Sequence, residues 1–264
     1  MTVPELTATR SGAGGPVLVL GPSLGTAAPL WDAATELLAP RYSILSWDLP
    51  GHGLSRPASE RFALSDLADA VVRLADEQGA TTFHFAGVSL GGAVGVELAL
   101  RHPDRLASLT AICSVPKFGE SPAWRDRAAL VRAQSTAALV VPSAGRWFAP
   151  GFIERSPRVS SALLHVLSDA DDESYALCCE VLAEYDARDQ LARITTPFLG
   201  ISGEFDTVAT PDAVERFAQA IPGGRAVVVP DAGHLAPAEQ PERVADLLDD
   251  LIRSTSRTKE QSHG

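Results

Sequence analysis

The stretch "FHFAGVSLGGAVGVELALRHP", residues 83–103, contains the pattern Gly-x-Ser-x-Gly at residues 87–91. An apolar run of strand length precedes Ser89, and a segment with helical spacing follows it. In such a strand–turn–helix unit the serine is raised above the sheet, and the flanking glycines let strand and helix approach each other. The stretch therefore predicts Ser89 as a nucleophile at a helix N-terminus, where the helix dipole favours a developing oxyanion.

Strands and helices alternate on both sides of this unit. Continuous apolar runs such as "PVLVLGP" and "TTFHFAGVS" are typical of strands that are buried on both faces. The segment "LSDLADAVVRLADEQG" has helical spacing, with Ser65 as a candidate N-cap and Gly79 as its stop. The pattern predicts an α/β fold in which helices flank a mainly parallel central sheet.

The alternation stops after Pro116 and resumes near residue 194. The intervening segment 117–193 has helical patterns only, which is typical of a helical cap inserted over the carboxyl edge of a sheet. We therefore expect a core made of residues 1–116 and 194–253. The polar segment 254–264, "RTKEQSHG" at its end, predicts a disordered tail.

Composition restricts the partners and the compartment. The 264 residues carry a formal net charge of −11, which argues against nucleic acid or an anionic membrane as a partner. No apolar run approaches the roughly 20 residues of a transmembrane helix, and the N-terminus lacks the pattern of a secretion signal. The three cysteines have no metal-binding spacing. We expect a cytoplasmic protein with reduced thiols and no bound metal; the sequence leaves monomer and homo-oligomer open.

A serine nucleophile needs a general base, and His234 is the best-placed of six histidines. It follows the strand "AVVVP" in the loop "DAGH", and in this fold the base comes last in the order Ser, Asp, His. The acid that orients the base should end an earlier strand. The segment "PFLGISGEFD" offers Asp206, which suits this position best, with Glu204 as its rival.

Two backbone N–H groups are expected to hold the oxyanion. One belongs to Leu90, the residue after the nucleophile, and the other to the loop after the strand "PVLVL". Leu24 is the candidate in that loop, with Ser23 as an alternative. Pro22 is excluded because proline has no N–H.

The chain resembles the α/β-hydrolases over nearly its whole length and, more narrowly, the 3-oxoadipate enol-lactonases. The Gly-x-Ser-x-Gly turn and the loop that carries His234 are common to many hydrolases, whereas the cap segments are more specific. The narrower resemblance is carried by "GPSLGTAAPLWD", "GVSLGGAVGVELALRHPDRL", "PAWRDRAALVR", "GRWFAPGF", "YALCCEVLAEYDARDQL" and "EFDTVATP".

The resemblance implies hydrolysis of a five-membered enol-lactone with a carboxymethyl group to 3-oxoadipate, a step of aromatic catabolism that needs no cofactor. An anionic lactone would need a local cation, and Arg146 is the candidate, unless it forms a surface ion pair. Trp124 and Trp147 either line the pocket or pack in the cap core. The alternatives are a carboxylesterase, another lactonase, a C–C bond hydrolase, a cofactor-free perhydrolase or haloperoxidase, and a ligand-binding protein.

Overall fold

The computed structural model describes residues 3–262, and the side chains of residues up to 255. Within this part of the chain seven strands form one sheet: β1 (Ala8–Ser11), β2 (Val17–Gly21), β3 (Ser43–Trp47), β4 (Phe83–Val88), β5 (Leu106–Ile112), β6 (Phe198–Gly203) and β7 (Arg225–Val229). Their spatial order is β1-β3-β2-β4-β5-β6-β7. Only β1 pairs antiparallel, with β3, so the prediction of a mainly parallel sheet is confirmed.

Helices cover both faces of the sheet and fill the insertion. Those belonging to the core are α1 (Asp32–Leu38), α2 (Leu64–Asp76), α3 (Leu90–Arg101), α9 (Pro211–Gln219), α10 (Ala236–Glu239) and α11 (Pro241–Ser262). Those between β5 and β6 are α4 (Ser121–Gln134), α5 (Val140–Trp147), α6 (Phe152–Arg155), α7 (Pro157–Asp169) and α8 (Asp172–Glu184). No helix among the described residues combines the length and the apolar character needed to cross a bilayer.

The central strands are buried along their full length. Every residue of β4 and of β6 is buried, as expected for parallel strands that are covered on both faces. The register aligns Gly21 of β2 with Gly87 of β4, and Val88 of β4 with Ile112 of β5. The carboxyl ends of the central strands therefore meet at one edge, where ligands bind in open α/β sheets.

Two local expectations are wrong. Helix α2 begins at Leu64, and Ser65 lies inside it; the carboxylate of Asp66 accepts the N–H of Ala63 at 2.8 Å and so satisfies the helix start. Helix α11 continues to Ser262, so residues 254–262 of the expected disordered tail are helical. The last two positions of that tail lie outside the described residues.

Candidate active site

Ser89 lies on a sharp turn between β4 and α3. Its backbone angles are φ 54° and ψ −113°, a conformation that costs energy for a residue with a Cβ atom. A Cβ at Gly87 would lie 2.3 Å from the backbone C and O of Gly91, and a Cβ at Gly91 would lie 2.6 Å from the oxygen of Pro22. The two glycines are therefore required because strand, helix and the neighbouring loop approach within contact distance.

His234 and Asp206 form a buried hydrogen-bonded pair. The Nδ1 atom of His234 lies 2.9 Å from Oδ2 of Asp206, and the Asp206 side chain has no solvent exposure. The other carboxylate oxygen accepts the N–H groups of Val208 and Ala209 at 2.8 and 3.1 Å. Asp206 is thus held as an acceptor, which fixes the proton of His234 on Nδ1 and leaves Nε2 as the basic nitrogen.

The rival carboxylate is directed elsewhere. Glu204 accepts the N–H of Asp231 at 3.1 Å in an exposed part of the turn after β6. It makes no hydrogen bond with His234. The structure therefore brings Asp206, and not Glu204, to the imidazole.

Ser89 and His234 line the same pocket, which has a volume of about 520 Å³. Both side chains reach it from the carboxyl edge of the sheet, Ser89 after β4 and His234 after β7. The pocket is covered by the helices inserted between β5 and β6. A serine and a histidine in one covered pocket are suited to attack on a carbonyl group.

Leu24 also lines the pocket, in the loop after β2. The N–H of Ser23 donates to Thr26 Oγ1 at 2.9 Å, and that of Gly25 donates to Nε2 of His52 at 3.3 Å. In the described part of the chain no hydrogen bond occupies the N–H of Leu24. Leu90 is the first residue of α3, so its N–H has no acceptor within the helix. The two N–H groups predicted for the oxyanion are the ones left open.

Two buried side chains fix the loop that carries Leu24. The carboxylate of Asp48 accepts the N–H of Ala28 at 2.6 Å and that of Leu54 at 2.8 Å. His52 is fully buried; its Nδ1 lies 2.9 Å from the oxygen of Pro50 while Nε2 accepts from Gly25. Burial lowers the pKa of His52 to about 4, so the ring stays neutral and keeps its acceptor nitrogen.

The cap supplies the roof of the pocket, including the two predicted tryptophans. Trp147 is buried at the end of α5 and Trp124 is partly buried on α4, and both line the pocket. The indole N–H of Trp124 donates to the oxygen of Phe118, which fixes that ring. Both tryptophans therefore pack in the cap and form the pocket wall, and the two interpretations of them are compatible.

Two arginines of the cap line the pocket. Arg146, the residue predicted for an anion, donates through Nε to the oxygen of Pro142 and forms no ion pair with a carboxylate of the described chain. Arg127 lies on α4 with its guanidinium 5.7 Å from the ring centre of Trp124 and 5.6 Å from that of Tyr175. It too has no carboxylate partner among the described residues, and its buried Nε has no acceptor there.

The electrostatics of this end of the pocket favour an anion. Partial burial and then the charge of Arg127 lower the pKa of Arg146, because each removes stabilisation from the guanidinium. Glu120 is the acidic residue of the pocket wall, but its side chain is mostly exposed and lies 3.7 Å from Lys117. A bound carboxylate would relieve the repulsion between the two arginines.

Comparison with known proteins identifies the family. Residues 17–247 match the model described as the Alpha/beta hydrolase family. The chain belongs to the alpha/beta hydrolase family. The solved enol-lactonase of Burkholderia xenovorans LB400 superposes with a TM-score of 0.90 at 32% identity, covering 94% of this chain and 96% of that one. The predicted fold and the resemblance to this family are confirmed.

Curated relatives within the alpha/beta hydrolases point in the same direction. The chain is 36% identical to 3-oxoadipate enol-lactonase 2 of Acinetobacter baylyi over 93% of its own length and 92% of the relative's. It is 30% identical to the pimeloyl-[acyl-carrier protein] methyl ester esterase of Aeromonas hydrophila, covering 90% and 96% of the two chains. The protein is a hydrolase of this family, and its relatives include lactonases and esterases.

The cysteines of this hydrolase lie outside the pocket wall. Cys178 and Cys179 are buried in α8, and neither lines the pocket. Cys113 offers a sulfur atom within 4.8 Å of ligand atoms of Asp206 and His234. Burial raises the pKa of the Cys113 thiol well above its usual range, and the nearby Asp206 adds to this. A metal needs the thiolate, and the imidazole and carboxylate already bond to each other, so this trio does not fit a metal ion.

Two residues near the site were not found from the sequence. Arg127 is three positions after Trp124, so both share one face of α4; that spacing is the signal that could have found it. Glu239 accepts hydrogen bonds from the loop that carries His234, and no local pattern in "APAEQP" indicates this.

Proposed function

We propose that the protein is a serine hydrolase in which Ser89 is the nucleophile, His234 the general base and Asp206 the residue that orients the base. The observation that carries this proposal is the 2.9 Å hydrogen bond from His234 Nδ1 to Asp206 at the floor of the pocket that Ser89 lines. Because Asp206 keeps the proton on Nδ1, the Nε2 lone pair is available to take the Ser89 hydroxyl proton.

The first step forms an acyl-enzyme. Ser89 Oγ attacks the ester or lactone carbonyl while its proton passes to His234. The N–H groups of Leu24 and Leu90 stabilise the oxyanion, since no other group of the described chain uses them. The tetrahedral intermediate collapses, the C–O bond to the leaving group breaks, and His234 protonates the departing oxygen.

The second step releases the acid. His234 takes a proton from a water molecule, which attacks the acyl carbonyl, and the C–O bond to Ser89 breaks as the serine regains its proton. With an enol-lactone the leaving enol stays tethered to the acyl group. Water must therefore react before the ring closes again, and the released enol then tautomerises to the ketone.

We further propose that the substrate is a lactone with a carboxylate, with 3-oxoadipate enol-lactone as the specific candidate and 3-oxoadipate as the product. Arg146 and Arg127 offer two cations without carboxylate partners at the cap end of the pocket. Trp147 and Trp124 provide flat apolar walls for the ring. The enol-lactonase relatives support this choice.

A carboxylesterase is the second candidate. The apolar walls of the pocket fit a neutral acyl group as well, and one relative at 30% identity is a methyl ester esterase. The two candidates differ in whether the substrate's own charge contributes to binding.

The test compares substrates on one enzyme preparation. Turnover of enol-lactone generated in situ is followed by absorbance, beside p-nitrophenyl acetate as a neutral ester, with Ser89→Ala as the control. We expect a kcat/KM for the lactone that is about 10²-fold or more above that for the ester, and no turnover by the control. Comparable values would contradict the lactone assignment and favour an esterase. Residual turnover in Ser89→Ala would contradict the nucleophile, and peroxide-dependent halogenation without lactone turnover would indicate a perhydrolase.

A further inference from the structure

A buried carboxylate joins the cap to the loop that carries His234. Glu239, the last residue of α10, is only 8% exposed. Its Oε2 accepts the N–H of Ala149 in the cap at 2.7 Å, and its Oε1 accepts the N–H of Gly233 at 2.8 Å. One side chain thus bonds to both segments, each with its own oxygen.

The two segments also touch directly through their backbones. The carbonyl oxygen of Trp147 accepts the N–H of His234 at 2.9 Å and that of Leu235 at 3.2 Å. A Cβ at Gly233 would lie 2.8 Å from the backbone N of Ala149 and from the oxygen of Trp147. The cap segment 147–149 and the base loop 233–235 are therefore in contact at backbone level, and a shift of one displaces the other.

The carboxylate form of Glu239 is needed for this arrangement. Burial raises the pKa of Glu239, whereas the N–H groups of Ala149, Gly233 and Leu235, together with the charge of Arg155, act in the opposite direction. An ionised carboxylate accepts on both oxygens, whereas an amide of the same shape accepts on one and donates from the other end.

We propose that Glu239 is a positioning residue that holds the segments 147–149 and 233–235 as one unit, so that substrate binding at Arg146 and Trp147 is coupled to the orientation of His234. The inference rests on the proposed role of His234 as the base. It assigns to Glu239 no contact with substrate. Its effect reaches the reaction through the backbone of the two segments that it joins.

Glu239→Gln tests this with little change of volume. Its amide NH2 must face the N–H of either Ala149 or Gly233, so one of the two segments is released. We expect kcat for p-nitrophenyl acetate to fall by about 10²-fold, as for a base displaced by about 1 Å, and KM for the anionic lactone to rise as well. The low-field proton resonance of His234 Nδ1–H should shift or broaden, a change that lost stability alone does not cause.

Asp249→Asn is the matched control, because Asp249 on α11 is a buried carboxylate that accepts from the hydroxyl of Tyr42 and does not line the pocket. Both variants lose bonds of a buried acid, but only Glu239→Gln should change the His234 resonance and kcat. An unchanged resonance and kcat in Glu239→Gln, or equal losses in Asp249→Asn, would overturn the proposal.

Hydrogen exchange in the unmutated protein provides a second measurement that needs no turnover. We call Glu239 with its two bonds to Ala149 and Gly233 the clamp. It requires the amide protons of Ala149 and Gly233 to be protected to the same degree and to exchange through the same opening. The proposal would be overturned if the amide proton of Ala149 exchanged at the rate of the other cap amides while that of Gly233 stayed protected. An enzyme without ester or lactone turnover would contradict the proposed function, and the exchange result would still decide the clamp.

Discussion

Replacing Asp206 by Asn tests the charge pair at the centre of the proposed mechanism. The two oxygens of Asp206 have unequal partners: Oδ1 accepts two backbone N–H groups, from Val208 and Ala209, whereas Oδ2 accepts from His234 Nδ1. An asparagine has one acceptor oxygen. Keeping it on the Oδ1 side preserves two hydrogen bonds instead of one, so the NH2 group is expected to face the imidazole.

That orientation reverses the tautomer of His234. Facing a donor, Nδ1 becomes the acceptor and the proton moves to Nε2, which then has no lone pair for the Ser89 proton. In Ser-His-Asp proteases the same exchange lowers kcat by about 10⁴-fold. We expect the same order here, about 5 kcal/mol of transition-state stabilisation at about 1.4 kcal/mol per factor of ten. Since the two backbone bonds remain, the free energy of unfolding should change by only about 1 kcal/mol.

The assay is kcat/KM for p-nitrophenyl acetate, together with urea unfolding. Glu204→Gln is the control, because Glu204 is two residues earlier and, among the described residues, accepts only the exposed N–H of Asp231. The activity of this variant should stay within about twofold of the unmutated enzyme. Activity of Asp206→Asn within about tenfold of the unmutated enzyme would refute the reasoning. So would an equal loss in Glu204→Gln.

Two further predictions concern charge. Arg127→Met should raise KM for an anionic lactone about tenfold or more through loss of a charge-assisted hydrogen bond, while kcat/KM for p-nitrophenyl acetate stays within about twofold. Arg125→Met is the control, because Arg125 is an exposed neighbour outside the pocket wall. Equal effects in the two variants would contradict the role of Arg127. Burial lowers the pKa of His52 to about 4 in the folded protein. Between about pH 6.5 and 4 the unfolded chain therefore binds up to one proton more than the folded protein does. The free energy of unfolding should therefore decrease by up to about 1.4 kcal/mol for each unit by which the pH is lowered in that range. In urea unfolding at pH 5 and 7, His52→Gln should remove this dependence. An unchanged slope in His52→Gln would show that other groups produce it.

The turn at Ser89 could be predicted from sequence because its requirements are local. Gly87 and Gly91 are needed by contacts within a few residues of Ser89, and the apolar run before them and the helical spacing after them specify the turn. The choice between Asp206 and Glu204 was harder, since both lie on the turn after β6. It depends on which side chain that turn directs inward, which is a property of the folded loop.

Residues that act through distant contacts left no readable pattern. Glu239 bonds to Ala149, which is 90 positions earlier in the chain, and "APAEQP" alone is typical of an exposed helix end. Residues 254–262 were misassigned for a related reason: their polar composition indicates disorder, whereas the helix that starts at Pro241 continues through them. In both cases the neighbouring structure, and not the segment's own composition, decides the outcome.

The residues proposed for the reaction and those proposed for substrate selectivity come from different parts of the fold. Ser89, Asp206 and His234 follow strands of the sheet, whose register fixes their spacing. In the proposed mechanism none of them distinguishes one acyl group from another. Arg127 and Arg146 come from the inserted helices and line the pocket; in the proposed function they bind only the carboxylate of the substrate. A change in the sheet loops should therefore lower the rates for charged and neutral esters alike, whereas a change in the two arginines should alter their ratio. The clamp at Glu239 is the expected exception, because it joins the two sets and should change both the rate and the ratio.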